Sequence, residues 1–167
     1  MSRYSAIIPN DVVNGDGVCV SFFVQGCPHR CPGCFNEETW DFHGGQPYTP
    51  DVKWNIIKAI STNGIDRNFS VLGGEPLAPQ NLDMTWEVID AVRHAYPHIT
   101  ITLWTGYTYE ELAANLDEKL LHILNTIDIL VDGPFIEAEK DLSLRLRGSR
   151  NQHIRIRRDN QWEIQDD

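Results

Sequence analysis

Cysteine is scarce in this chain, with four in 167 residues, and three of the four crowd into the stretch from Cys27 to Cys34. Thiols so few and so bunched exclude a disulfide framework, which a chain long enough to bury its own core does not need. Cations are short as well. The 14 Lys and Arg face 24 Asp and Glu, for a formal charge of −10, which argues against a general nucleic-acid binder because phosphate neutralisation needs clustered positive charge. The first residues, Met1-Ser2-Arg3-Tyr4, carry no apolar signal region, and no uninterrupted apolar run approaches membrane-helix length. These absences predict reduced thiols in the cytoplasm. No repeat, low-complexity segment or linker interrupts the sequence, which reads as one domain over 1–167.

What is present begins with Gly26-Cys27-Pro28-His29-Arg30-Cys31-Pro32-Gly33-Cys34-Phe35-Asn36, three thiols at C-x3-C-x2-C spacing. Three close thiolates can hold three irons of a 4Fe-4S cube and leave the fourth iron open to a substrate or cofactor. A structural zinc site is the rival, and Cys19, His29 or His43 would have to supply its fourth ligand. Cys19 lies in an apolar run and reads as a small buried strand residue. The six histidines read as ordinary surface or packed residues, and the tryptophans as core or interface, with Trp104 near the expected rim.

Asn14-Gly15 and Asp16-Gly17 are turn signals that place a hairpin-like entry before a strand over 18–24, so the cysteines follow a strand end. Thr49-Pro50-Asp51 opens a helix that Asn63-Gly64 stops. A strand at 69–72 follows, then a helix over 82–95 with Met84, Val88, Ile89 and Val92 on one face. A strand at 99–104, helical pieces at 109–114 and 118–124, and a strand at 127–131 complete the alternation. That order predicts a parallel sheet with right-handed crossovers, helices on one side, and ligand-binding loops at the carboxyl ends of the strands. Four loops then share one rim: the cysteine loop, Gly73-Gly74-Glu75-Pro76, Thr105-Gly106-Tyr107 and Asp132-Gly133-Pro134. A turn at Asp159-Asn160 between 154–156 and 162–164 predicts a terminal hairpin. The segment 142–158 has no acid but holds Arg145, Arg147, Arg150, Arg155, Arg157 and Arg158. It reads equally as a grip on an anionic ligand or partner and as a solvated strand face, because Ile154 and Ile156 alternate with Arg155 and Arg157.

In Gly73-Gly74-Glu75-Pro76 two glycines directly after a strand let backbone carbonyls approach a ligand's amino group, although by itself the motif is only a turn. Together with the cysteine run it resembles the radical S-adenosylmethionine superfamily. The resemblance implies a 4Fe-4S cluster on Cys27, Cys31 and Cys34, with S-adenosylmethionine chelated to the open iron and contacted by Gly33, Phe35, Gly73, Gly74 and Glu75. A longer series stands in one order: Asp11-Val12-Val13-Asn14-Gly15, Cys31-Pro32-Gly33-Cys34-Phe35-Asn36, Thr39-Trp40, Gly45-Gln46-Pro47, Pro76-Leu77 with Pro79-Gln80-Asn81, Trp104-Thr105-Gly106-Tyr107, Val131-Asp132-Gly133 and Arg147-Gly148-Ser149 with Asn151-Gln152. That series is similar to the glycyl-radical-enzyme activases that serve anaerobic ribonucleoside-triphosphate reductase.

The implied fold is α/β, an open partial (β/α) barrel of the radical S-adenosylmethionine type with a wide lateral mouth and a terminal hairpin. The implied reaction cleaves S-adenosylmethionine reductively to methionine and a 5′-deoxyadenosyl radical, which takes a hydrogen from a glycine of the partner reductase. A reduced flavodoxin-like protein would supply the electron. No protein acid or base is required, so no catalytic side chain is named. Asp132 is expected as a rim acid, and Arg147, with Ser149 and Asn151, would dock the reductase or touch the cofactor carboxylate. Two other readings stand beside this one. The first is another small radical S-adenosylmethionine enzyme, a formate-lyase-type activase or a deazaguanine-precursor synthase; the second is a non-enzymatic iron-sulfur electron carrier.

Overall fold

Short strands with apolar residues at consecutive positions suit a parallel sheet that is covered on both faces. The computed structural model, which describes residues 2–166, has this architecture at its centre. Among the described residues eight strands form one sheet: β1 Arg3–Asp11, β2 Cys19–Val24, β3 Gln46–Pro47, β4 Asn68–Gly73, β5 Ile101–Trp104, β6 Ile129–Asp132, β7 His153–Arg158 and β8 Gln161–Ile164. Their spatial order is β3-β1-β2-β4-β5-β6-β7-β8, an open sheet ending at β3 and β8. β2, β4, β5 and β6 run parallel, and antiparallel pairs flank them on both sides.

Four helices make the crossovers: α1 Pro50–Ile60, α2 Leu82–Ala95, α3 Tyr109–Ala113 and α4 Glu118–Thr126. Three of the four starts have a local cause. Pro50 occupies the first turn of α1, where its missing N–H costs nothing. The Thr108 hydroxyl caps α3, and the Asp117 carboxylate accepts two N–H groups at the head of α4. Ile56 and Ile60 of α1, Val88 and Val92 of α2 and Ile123 of α4 share one core with Phe22, Phe69, Leu103 and Leu130 of the sheet. The next residues along the strands point the other way. There Ile129, Val131 and Ile154 form a smaller cluster with Trp104 and Leu146, covered by loops rather than helices. Arg145 Nη2 ties two of these covering loops together, reaching both Asp16 carboxylate oxygens at 2.8 and 2.9 Å. No helix of the described residues is long and apolar enough to cross a membrane.

The expected strands at 99–104 and 127–131 start late, at Ile101 and Ile129. The Asp128 carboxylate accepts from the Ile101 N–H at 2.9 Å and from the Arg93 guanidinium, which closes the entry to both strands with side-chain bonds. The terminal hairpin is present, with Asp159 and Asn160 both at positive φ, as a two-residue turn between twisted strands demands. β3 pairs through only two residues, too short a run to leave a periodic signal.

Neither expectation for the Arg-rich segment holds across its length. Arg155 is buried, with Nε 2.8 Å from Asp132 Oδ1 and its guanidinium stacked 4.7 Å from the Tyr109 ring centroid. Arg147 turns inward and donates to the backbone carbonyls of Gln152 at 2.8 Å and Asp166 at 3.0 Å. Arg158 faces Glu163. The acids missing from 142–158 are supplied from elsewhere in the chain, so much of the segment's positive charge is met internally rather than offered to a partner.

Candidate functional site

The cysteine loop leaves the end of β2 and is cinched at its neck. Gly26 N donates to Thr39 O at 2.6 Å and Cys27 N to Trp40 O at 3.1 Å, so the outgoing and returning strands of the loop are held side by side. The buried Gln25 side chain donates to Glu38 O and Asp41 O and anchors the return. Within the loop Cys34 N bonds Cys31 O, which folds the last two thiols into one turn.

All four expected rim loops meet here. Cys27, Cys31 and Cys34 line one cavity with Gly73, Gly74 and Glu75 from the end of β4, Thr105 and Gly106 from β5, and Gly133 and Phe135 beyond β6. The contact between the first two loops is close. A Cβ on Gly74 would stand 2.4 Å from the carbonyl oxygen of Gly26, and Glu75 N donates to that same oxygen at 2.8 Å. Glycine at 74 is therefore a packing requirement between loops, besides whatever it offers a ligand.

The three thiols are unbridged and half-buried. Burial pushes the Cys27 thiol up to about 11, against a backbone N–H from His29 that favours the thiolate. Burial also raises Cys31, with a backbone donor at Phe135 opposing. Such thiols stay protonated and quiet until a metal displaces the proton. Among the described residues no three His, Cys, Asp or Glu side chains converge as a site for a single ion. The candidates for a fourth zinc ligand are all turned elsewhere. Cys19 is buried in β2 with Sγ 3.5 Å from Asp16 O, His29 is engaged by Glu75, and His43 stands exposed beside Asp41. A closed tetrahedral site is thus unsupported, whereas three thiols on one wall with open space before them fit a larger group that takes three protein ligands. Trp40, in the same wall, has an indole N–H that is buried with no acceptor among the described residues, and a sulfide-bearing group would supply one.

Of the other expected contacts, Gly33 and Phe35 sit to one side. Gly33 abuts Glu137, and the half-exposed Phe35 packs 5.2 Å from Phe135 with the Lys140 ammonium over its ring. Phe35 belongs to an adjoining apolar groove of about 480 Å³ lined by Val13, Phe23, Leu142, Leu144 and Leu146, which opens into the cysteine cavity through Cys34, Leu72, Trp104 and Phe135. Trp104 is at the rim as expected. Asp132 is not a rim acid: it is 2% exposed, paired with Arg155, and accepts from the Tyr109 N–H at 2.8 Å. Ser149 and Asn151 serve the chain itself, accepting from Ile136 N and donating to Pro134 O. His29 is packed, as one of the two readings of the histidines had it, but it stands in the cavity wall, edge-on to Tyr107 at 4.6 Å. Its bond to Glu75 raises its pKa, against burial. Nothing in the spacing marks it out except its place between Cys27 and Cys31.

Comparison with known proteins adds four findings. Residues 13–155 match the family described as a 4Fe-4S single cluster domain, a span that holds all three clustered cysteines. The chain is 40% identical to the anaerobic ribonucleoside-triphosphate reductase-activating protein of Salmonella typhi over 153 residues, 91% of this chain and 97% of the relative. It has the same identity, over the same shares, to the protein of that name from Escherichia coli K12. The protein so named from enterobacteria phage T4 is 35% identical over 162 residues, 96% of this chain and 97% of its own length.

Proposed function

The chain belongs to the family of anaerobic ribonucleoside-triphosphate reductase-activating proteins, and on that premise we propose that it is the enzyme that installs a glycyl radical on such a reductase. The observation that carries the reading is the set of three thiols with no fourth ligand beside them among the described residues, on one rim next to a Gly-Gly turn. Cys27, Cys31 and Cys34 would hold a 4Fe-4S cluster, and the Gly73-Gly74-Glu75 shelf, with Gly33 and Phe35 flanking, would seat S-adenosylmethionine. When bound, this pair supplies reductive cleavage to methionine and a 5′-deoxyadenosyl radical, which takes a hydrogen atom from a glycine of the reductase.

The chain's own part is placement and exclusion of water. The cavity wall holds His29 and Glu75, but each is engaged by the other, and taking a hydrogen atom calls for no protein proton donor or acceptor, so none enters the proposal. The groove leading into the cavity is apolar, and Val13 and Leu142 at its border are each 77% exposed. A narrow backbone segment of the reductase fits there, which would bring its glycine within reach before cleavage begins. A second sheet face covered by loops rather than helices suits an open partial (β/α) barrel of the radical S-adenosylmethionine type, with 1–167 as one such domain. We place the protein in the cytoplasm, where thiols stay reduced, with a reduced flavodoxin-like donor.

The experiment is an electron paramagnetic resonance spectrum of anaerobically reconstituted, dithionite-reduced protein, recorded without and with S-adenosylmethionine. A reduced-cluster signal that changes on addition, followed by a glycyl-radical signal when the reductase is mixed in, supports the reading. A signal indifferent to S-adenosylmethionine sinks it and favours an electron carrier.

A further inference from the structure

Glu75 is 1% exposed, and both its oxygens are fully engaged. Oε1 accepts from Leu77 N at 2.9 Å and the Thr105 hydroxyl at 2.8 Å; Oε2 accepts from Gly106 N at 2.7 Å and lies 2.8 Å from His29 Nε2. A carboxylate offers about four acceptor directions, and here each is filled. The partners come from three loops: the cysteine loop, the turn that carries Glu75, and the end of β5. An amino group arriving in the cavity meets a carboxylate with no acceptor site to give.

The surroundings repeat the pattern. The Asn81 amide, 1% exposed, donates to Gly26 O at 3.2 Å and to Glu75 O at 3.0 Å, joining the same two loops through their backbones. Opposite, Gly106 presses on the His29 ring so closely that a Cβ there would stand 2.5 Å from Cδ2. His29 lies two positions from both Cys27 and Cys31. Where backbone bonds cinch the neck of the loop, His29 holds its middle.

We infer that Glu75 acts as a positioning residue through its side chain, with His29 as its counterpart, and that the pair locks the cysteine loop to the ends of β4 and β5. The lock itself rests on the geometry above; its bearing on S-adenosylmethionine rests on the proposed function. In a protein whose cavity must hold two groups in fixed relation, such a lock sets the distance between the thiols and the Gly73-Gly74 shelf.

Three variants of the full chain test it: His29→Leu, which removes the bond; His29→Gln, which retains an N–H donor near the same place; and Thr105→Val, which removes a Glu75 bond from the far side. Amide hydrogen exchange over residues 26–36 is read in the iron-free protein, iron loss to a chelator in the reconstituted protein, and KM against kcat with S-adenosylmethionine. For His29→Leu we expect exchange and iron loss about tenfold faster, the worth of one hydrogen bond to a charged group. KM should rise with kcat nearly unchanged. His29→Gln should restore most of each loss, and Thr105→Val should shift exchange and iron loss the same way by less. Wild-type exchange and iron retention in both His29→Leu and Thr105→Val, or a His29→Gln protein as impaired as His29→Leu, would overturn the inference. Should His29→Leu fail to fold, the other two variants decide. The iron-free exchange result holds even if wild-type protein ignores S-adenosylmethionine, an outcome that would remove the activase reading alone.

Discussion

Two kinds of residue make the site, and they differ in how far their chemistry can be read from neighbours in sequence. The three cysteines and the two glycines carry their meaning locally, because thiol spacing and a missing Cβ are properties of a few adjacent positions. His29 and Glu75 do not. They stand 46 positions apart, and only the register of β2 on β4 brings them within 2.8 Å. Replacing Cys34 by Ala should abolish stable cluster formation, measured as iron and sulfide content after reconstitution. Cys19→Ser should leave iron content at the wild-type level, since Cys19 lies outside the cavity wall, while lowering stability by roughly 1–3 kcal/mol for a hydroxyl in a buried site, seen in denaturant unfolding. Gly74→Ala brings a methyl against the Gly26 carbonyl, and the cost should be about 1–3 kcal/mol with faster iron loss, because backbone on both sides has to move.

At the level of elements, strand and helix order was legible because α1 opens on a proline and the longer helices carry an apolar face of helical period. The Arg-rich end was legible only in part. The alternation of Ile154 with Arg155 was read correctly, but this edge of the sheet is covered on both faces, so Arg155 points into protein and pairs with Asp132. Arg155→Ala should therefore cost about 3–5 kcal/mol, the penalty for leaving a buried carboxylate unpaired, and a urea titration would measure it. The same strand, β7, has a pH dependence of its own. Burial pushes the Asp166 carboxyl up, but the Ile154 N–H, the His153 ring and the nearby Arg147 outweigh it and hold the group below its ordinary 3.8. A depressed carboxyl stabilises the fold above its ordinary value and loses that contribution as pH falls through the lowered one. Acidification should loosen this hairpin before the helix-side core, seen as faster exchange of the Ile154 amide while α2 amides stay protected.

For the molecule as a whole, alternation of elements foretold the parallel centre and the shared rim, yet could not foretell how far the sheet extends on either side. The flanks are antiparallel strands paired through as few as two residues, and pairings that short are decided by tertiary packing. The same packing leaves one sheet face without helices, and so creates the groove. Val13→Asp and Leu142→Asp sit at its exposed border, so each should change stability by no more than about 0.5 kcal/mol. Each should nonetheless lower the yield of glycyl radical on the reductase severalfold, while S-adenosylmethionine cleavage without the reductase stays as it was. The two loops of the metal centre also impose an order of events during synthesis. Gly26 is seated by the Asn81 side chain from 55 positions downstream, and by strands that pair only once β4 exists. A nascent chain therefore displays its three cysteines to the cell well before the parallel core that seats their loop can form.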